Sequence, residues 1–348
     1  MQRNEDGMPA QPLATVVIPT FSRPDLLLQC VQSVLAQDAP FPFEVVVVDD
    51  GGTPAATRSL AGVLDPRLRI YRQENSGPAR ARNRGMKEAH GRIIAFIDDD
   101  CAAHAGWLTA GVQRFSDDVV MVQGPVEPPE RASPLLWHYI EAVSGRHDLT
   151  CNLFVLRDAA LKVCGFDEKF PDPAGEDYEF CWRVDHLGRV VFEPSACITH
   201  ALIPLTWKKR RARPRLWRSN YRFYGLHPDR LGKAALPGLE RLAGRFLDEN
   251  PLIRLTTYLA GAGFVELVRN MLERGPRGAG VELVASLFNL VEFALRTPEY
   301  LRLYAQAREE ARVRDAIRAG QPALAVEGSP AVATASEAAP LIIIRSAG

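Results

Sequence analysis

The chain has 348 residues, 47% hydrophobic and 24% charged, with 42 Lys+Arg against 42 Asp+Glu. This length fits one large α/β domain with an appendage or two modest domains, and the balanced charge excludes reading a partner from net charge alone. The 6 cysteines lack C-x-x-C spacing, which argues against zinc and for reduced, mostly buried thiols of a cytosolic protein.

Residues 1–12 read as a disordered leader without the apolar h-region of a signal peptide. Ala14-Thr-Val-Val-Ile-Pro19 predicts a first buried strand. Ser22-Arg-Pro-Asp25 predicts a helix start, with Ser22 as cap, Pro24 in the first turn and Leu27, Val31, Val34 and Leu35 at helical spacing. Glu44-Val-Val-Val-Val-Asp49 is a continuous apolar strand of the kind buried on both faces of a parallel sheet, and Asp50-Gly-Gly52 ends it in a turn. A short strand at Leu68–Arg72, a helix from Gly77 to about Ala89 and a strand ending at Asp98 follow. This β-α-β-α-β alternation predicts a doubly wound sheet.

Further on, the sequence predicts a helix at Trp107–Phe115, a strand at Val119–Gln123 and a Pro-rich loop at Gly124–Glu130. A strand at Asn152–Leu156, a helix at Arg157–Val163, a helix from Gly175 through Val184 and a final strand at Arg189–Phe192 come next. After Thr206, Lys208–Arg222 carries many cations and no acids. A helical pattern over 226–320 and a tail at 321–348, rich in Ala, Pro, Ser and Gly and expected to be disordered, complete the chain. The nearest candidate for a membrane span, around Leu255–Val265, is interrupted by Arg254 and Glu266.

The most informative stretch is Arg92–Cys101, where an apolar β-branched run ends in Asp98, Asp99 and Asp100. Adjacent acids repel, so a strand end of this kind points to a divalent cation held by oxygen and shared with a substrate phosphate. An acidic turn or a helix N-cap is the structural alternative. Asp49-Asp50-Gly51-Gly52 suits a base imide N–H and a close-lying ligand ring, or else an ordinary Asx turn. Asn75–Asn83 opens a helix with Arg80, Arg82 and Asn83 near its start, which suits a nucleotide or is simply a basic helix end. Glu176 and Asp177 begin a helix whose dipole favours acids there; the functional reading makes Asp177 a general base, with Trp182 as an apolar wall of the acceptor pocket. His200, alone at a strand-like end, gains meaning only if the fold brings it to the metal.

Taken in order, Val17-Ile-Pro-Thr20, Val48-Asp-Asp-Gly-Gly52, Gly77-Pro-Ala-Arg-Ala-Arg-Asn83, Phe96-Ile-Asp-Asp-Asp100, Gly165-Phe-Asp-Glu168, Gly175–Arg183 and Ile198-Thr-His200 resemble family 2 of the glycosyltransferases, over about Leu13–Leu202. The resemblance implies the GT-A fold: an α/β, doubly wound, mostly parallel sheet flanked by helices, in a catalytic domain at 13–206. Its nucleotide-binding half is 13–100 and its acceptor half 101–206, followed by a basic loop at 207–225 and a C-terminal helical extension. It also implies a nucleotide-diphosphate sugar and a divalent metal, Mn2+ or Mg2+. By position, Pro19, Thr20 and Arg82 line the nucleotide pocket, Asp50 contacts the base and Asp98 faces the ribose or metal-bound diphosphate. Asp100 is the direct metal ligand, and His200 matches a histidine that in several relatives helps bind metal or diphosphate. Asp177 matches the catalytic base, with Glu176 beside it touching the acceptor. Three Asp in place of one spaced pair leave the roles of Asp98 and Asp99 open. No Gln-x-x-Arg-Trp follows Asp177, which, with no apolar run of spanning length, argues for one sugar per binding event.

The expected reaction is inverting transfer to a saccharide or lipid-linked hydroxyl in cell-surface polysaccharide or glycoconjugate synthesis. UDP- and dTDP-sugars are favoured because Asp50 suits a uracil or thymine imide, though a guanine also offers N–H donors. A sugar-phosphate nucleotidyltransferase wants a Gly-rich N-terminal loop, and a dinucleotide oxidoreductase wants G-x-G-x-x-G after the first strand; this chain has Pro19-Thr-Phe-Ser-Arg23 there. A nucleic-acid binder leaves Asp98–Asp100 unexplained, so no such partner is expected. A sugar-phosphate nucleotidyltransferase, despite the missing loop, and a nucleotide-sugar-binding protein without transfer activity stay open as the alternatives. The basic run has three readings: a solvated face, a loop closing on the donor diphosphate with Trp207, Trp217, Tyr221 and Tyr224 ordering on it, or a contact with anionic membrane. Helices near Leu252–Met271 and Val281–Leu295 offer a membrane-side or homodimer surface. The expected address is the cytoplasm, with peripheral seating at the inner face of the cell membrane under the third reading.

Overall fold

In the computed structural model, which describes residues 11–129, 137–138, 140–143, 145, 148–204, 206, 217–228 and 295–317, the first apolar runs become fully buried strands β1 (Ala14–Thr20) and β2 (Phe43–Asp49). Side chains alternate along a strand, so each contributes to two cores. Val16, Ile18, Val45 and Val47 meet Leu27, Val31 and Val34 of α1 (Pro24–Leu35), which joins β1 to β2. Each such side chain, once buried, contributes on the order of 1.5–3 kcal/mol. Pro24 opens α1 as expected, but Ser22 is not its cap. Ser22 has φ 55 and its hydroxyl accepts the Thr53 N–H at 2.9 Å, while Arg23 occupies the cap position.

The short α2 (Ala56–Ser59), β3 (Leu68–Arg72), α3 (Pro78–Glu88) and β4 (Ile93–Ile97) complete the first wind. Val17 packs with Ala79 and Met86 of α3, and Val46 and Val48 with Ala81, on the face opposite α1. Gly85 permits this packing, because a Cβ there would meet Val17 Cγ1 at 2.2 Å.

The chain continues through β5 (Cys101–Ala103), α4 (Trp107–Gln113), β6 (Val119–Gln123), β7 (Val126–Glu127), β8 (Trp137–His138), β9 (Asn152–Leu156) and α5 (Arg157–Lys162). Next come α6 (Glu176–Asp185), β10 (Arg189–Phe192), β11 (Ile198–His200) and β12 (Ile203–Pro204). The Pro-rich loop therefore contains a strand, β7, and Arg189–Phe192 is not the last. The main sheet has seven strands in the order β10-β6-β9-β4-β1-β2-β3, with only β9 antiparallel to its neighbours. Strands β5, β11 and β7 form a small second sheet, and β12 pairs with β8. Among the described residues no helix is long and apolar enough to cross a membrane.

The chain divides into two units, Met1–Arg210 and Arg211–Gly348. In the second, Trp217–Leu226 forms α7, which corrects the loop expected to run to 225. It packs on α8 (295–317): Tyr221, fully buried, stacks on Tyr300 at 5.2 Å, and Gly225 lets the backbones approach. Arg218 and Arg222 pair with Glu299 at 3.1 Å and Glu310 at 2.9 Å. These two cations and Tyr221 thus serve the unit's own packing. The expectations for residues 1–10, 207–216, the helices near Leu252–Met271 and Val281–Leu295, and the tail lie outside the described residues.

Candidate active site

Parallel strands deliver their carboxyl ends to one edge of the sheet, where open α/β folds bind ligands. Thr20 lies opposite Asp49 in register, Pro19 sits buried in β1 opposite Val48, and β4 runs on into Asp98–Asp100. The Cys101 N–H donates to the Asp98 carbonyl at 3.0 Å, so the three acids form a turn. Their carboxylates make three different sets of bonds.

Asp99 accepts from Thr20 Oγ1 at 2.7 Å and from Arg23 Nη1 at 2.9 Å. Burial nonetheless pushes its pKa up to about 6, against the pull of Arg23 and Thr20. The same Arg23 nitrogen lies 2.5 Å from Asp100 Oδ2. Asp98 instead accepts from Arg82 Nη2 at 2.8 Å, and Arg82 Nη1 donates to Glu176 Oε1 at 3.1 Å. One buried guanidinium thus joins a strand end to a helix start. Burial works against the Arg82 charge, yet Asp98 and Glu176 outweigh it and raise its pKa.

Gly175, at φ 88, turns the chain into α6, and Glu176, Asp177 and Glu179 in the first turn suit the helix dipole. Burial, then the Asp177 charge, pushes Glu176 up to about 7; its Oε2 has no hydrogen-bond partner among the described residues. Burial likewise raises the Asp177 pKa, with Arg82 opposing, and Asp177 Oδ1 accepts the Tyr178 N–H at 2.8 Å. A cleft of about 200 Å³ opens beside Glu176, walled by Gly77, Pro78, Glu168, Phe170 and Pro173.

The fold brings His200 to the acids. β11 runs antiparallel to β5 with His200 opposite Cys101, and the Ala201 N–H donates to the Asp100 carbonyl at 2.8 Å. His200 Nδ1 donates to the Ala201 carbonyl at 2.7 Å, so the neutral ring carries its lone pair on Nε2, which lies 3.7 Å from Asp100 Oδ1. Ligand atoms of Asp100, Cys101 and His200 lie within 4.8 Å of one another. The Asp100 carboxylate and the His200 imidazole, with a guanidinium already resting on Asp99 and Asp100, fit a divalent cation.

Asp50 faces the β3–α3 connection. Its Oδ1 accepts from Gln73 Nε2 at 2.8 Å and Ser76 N at 2.9 Å, and its Oδ2 from Gly77 N at 2.8 Å. One acceptor position on Oδ2 takes no hydrogen bond among the described residues. The Asx-turn alternative describes Asp49, which accepts the N–H groups of Gly52 at 2.8 Å and Ala56 at 2.9 Å and pairs with Arg72. Trp182 stacks on His186 at 3.8 Å; five residues beyond Asp177, it points about 140° away from it around the helix.

Two residues escaped the sequence reading. Arg23 looked like part of a helix start and instead bonds two of the acids. Asn83 looked like a nucleotide contact, yet it exchanges hydrogen bonds with the Phe166 backbone at 2.8 and 2.9 Å and donates to Glu168 at 2.9 Å. Arg183 holds the same turn from α6, donating to the carbonyls of Val163 and of Gly165, the latter at 2.7 Å.

Residues 15–162 match the family model described as Glycosyl transferase family 2. The pre-mycofactocin glycosyltransferase of Mycobacterium tuberculosis is 27% identical over 255 residues, which is 64% of this chain and 50% of that protein. Glycosyltransferase AglE of Haloferax volcanii is 35% identical over 170 residues, 44% of this chain and 56% of that protein. The chain spans about half the length of these curated relatives. Among solved structures, the mannosyltransferase PcManGT from Pyrobaculum calidifontis, in complex with GDP-Man and Mn2+, aligns over 86% of this chain and 87% of its own at 17% identity, with a TM-score of 0.46. Residues 15–162 thus carry the match to family 2 of the glycosyltransferases, on a mostly parallel sheet whose carboxyl edge gathers the acids.

Proposed function

We propose that the chain is an inverting, non-processive glycosyltransferase. It moves a sugar from a UDP- or dTDP-linked donor to a saccharide or lipid-linked hydroxyl, in polysaccharide or glycoconjugate synthesis. The observation that carries this reading is the Arg82 bridge, which ties the acidic strand end to the carboxyl pair at the start of α6. The donor's diphosphate and the acceptor's hydroxyl are thereby served by one hydrogen-bonded unit.

Asp177 is the base. Its raised pKa strengthens it as a proton acceptor, and with Oδ1 held by the Tyr178 N–H, Oδ2 takes the acceptor's proton. A single base opposite the leaving group gives inversion at the anomeric carbon. Glu176 offers its unpaired Oε2 to an acceptor hydroxyl, and Asp50 offers its remaining acceptor position to one imide N–H. Asp100 and His200 would hold a divalent cation, Mn2+ or Mg2+, which would supply Lewis-acid neutralisation of diphosphate charge. Thr20 fixes Asp99 beside it, and Asp98 stays with Arg82, which divides the labour among the three acids.

The test is incubation of the full chain with a panel of nucleotide sugars, Mn2+ and candidate acceptors. Release of nucleoside diphosphate with sugar transferred supports the reading. Pyrophosphate release would support nucleotidyl chemistry instead, and binding without either product a binding protein.

A further inference from the structure

A second cluster lies in the small sheet, away from the acids. His104 follows β5, Glu127 ends β7 and Cys197 precedes β11, and their ligand atoms all lie within 4.8 Å of one another. The register explains the gathering. Ile198 pairs with Ala103 and Thr199 with Glu127, and the His104 N–H donates to the Cys197 carbonyl at 3.1 Å. Cys197 and Thr199 share one face of β11, whereas Ile198 and His200 share the other. The cluster is therefore on the opposite face from His200 and roughly 10 Å along the strand.

We infer that His104, Glu127 and Cys197 form a binding site for a zinc-class divalent cation, with water as the fourth ligand. Imidazole, carboxylate and thiolate are the ligand types zinc takes, and sulfur with nitrogen disfavours Mg2+ and Ca2+. His104 Nε2 lies 2.7 Å from Thr199 Oγ1. In the tautomer that donates to this hydroxyl, Nδ1 carries the lone pair, the arrangement by which an outer partner fixes a metal-binding imidazole. Cys197 binds as the thiolate, the cation displacing the thiol proton. The ligands lie at the ends of three strands far apart in sequence, which is why cysteine spacing gave no zinc pattern. Bound there, the cation ties together β5, β7 and β11, the sheet whose far end sets His200 beside Asp100.

The test uses the full chain, stripped with chelator and titrated with Co2+ at micromolar concentration. One equivalent should give a near-ultraviolet thiolate-to-cobalt charge-transfer band that Zn2+ then abolishes. Cys197→Ser should remove the band, His104→Ala should weaken Co2+ affinity by about 10-fold or more, and His200→Gln should leave the band in place. In the wild-type chain, independently of any variant, Zn2+ should shield Cys197 from alkylation, read by peptide mass spectrometry. No band, a band that survives Cys197→Ser or vanishes in His200→Gln, or equal alkylation with and without Zn2+ would each overturn the inference.

Discussion

Glu176→Gln should stabilise the fold while damaging the site. Glu176 is buried with Oε2 unpaired, and burial together with the Asp177 charge lifts its pKa from 4.5 to about 7. The folded state therefore binds this proton more tightly than the unfolded chain does. Stability from the protonated carboxyl is fully present below about pH 4.5 and is lost as pH rises through about 7. A lift of that size corresponds to about 3 kcal/mol. Gln keeps the shape and an oxygen for Arg82 but cannot ionise. The variant should therefore gain about 3 kcal/mol over the wild type near pH 8 and almost nothing near pH 4.5. For a unit of this size that is about 6–12 °C in Tm. Thermal melts of both proteins across this pH range make the comparison. A gap independent of pH, or a less stable variant near pH 8, would refute the reasoning.

Arg23→Gln removes the guanidinium that lies across Asp99 and Asp100 at 2.9 and 2.5 Å. Mn2+ affinity without donor, measured by electron paramagnetic resonance, should rise several-fold; weaker binding would make Arg23 a helper and not a competitor. Asn83→Ala leaves the Phe166 N–H without its partner, and should cost about 1–3 kcal/mol in urea unfolding. A loss below about 0.5 kcal/mol would assign the turn's position to Arg183 alone.

The main elements and the carboxyl edge of the sheet were legible because β-branched runs, helix starts and glycine turns are local signals. The strands that matter most, β1, β2 and β4, end where their acids or turn residues begin. What escaped depends on contacts across the fold. Arg82 and Glu176 are 94 residues apart in sequence, so their bond has no local trace. Arg23 was hidden by a sound local pattern, Ser-x-Pro, which the positive φ of Ser22 overrides by turning its hydroxyl to Thr53. Asp50 could be singled out as a candidate base contact, but not its capture of the Ser76 and Gly77 N–H groups, since loop backbone leaves no compositional mark. Short strands such as β7 and β11 carry too few residues for a periodicity of 2 to register. Apart from the family resemblance, nothing in the residues around His200 connected it to the acids, because the link is the pairing of β11 with β5.

The most direct measurement is of Asp177→Asn, with donor binding followed by calorimetry and nucleoside diphosphate release by turnover. Donor binding should stay within about threefold of the wild type, while turnover falls by about 10²–10⁴, the usual contribution of a positioned base. Turnover within about tenfold of the wild type would remove Asp177 from the proton transfer and contradict the mechanism.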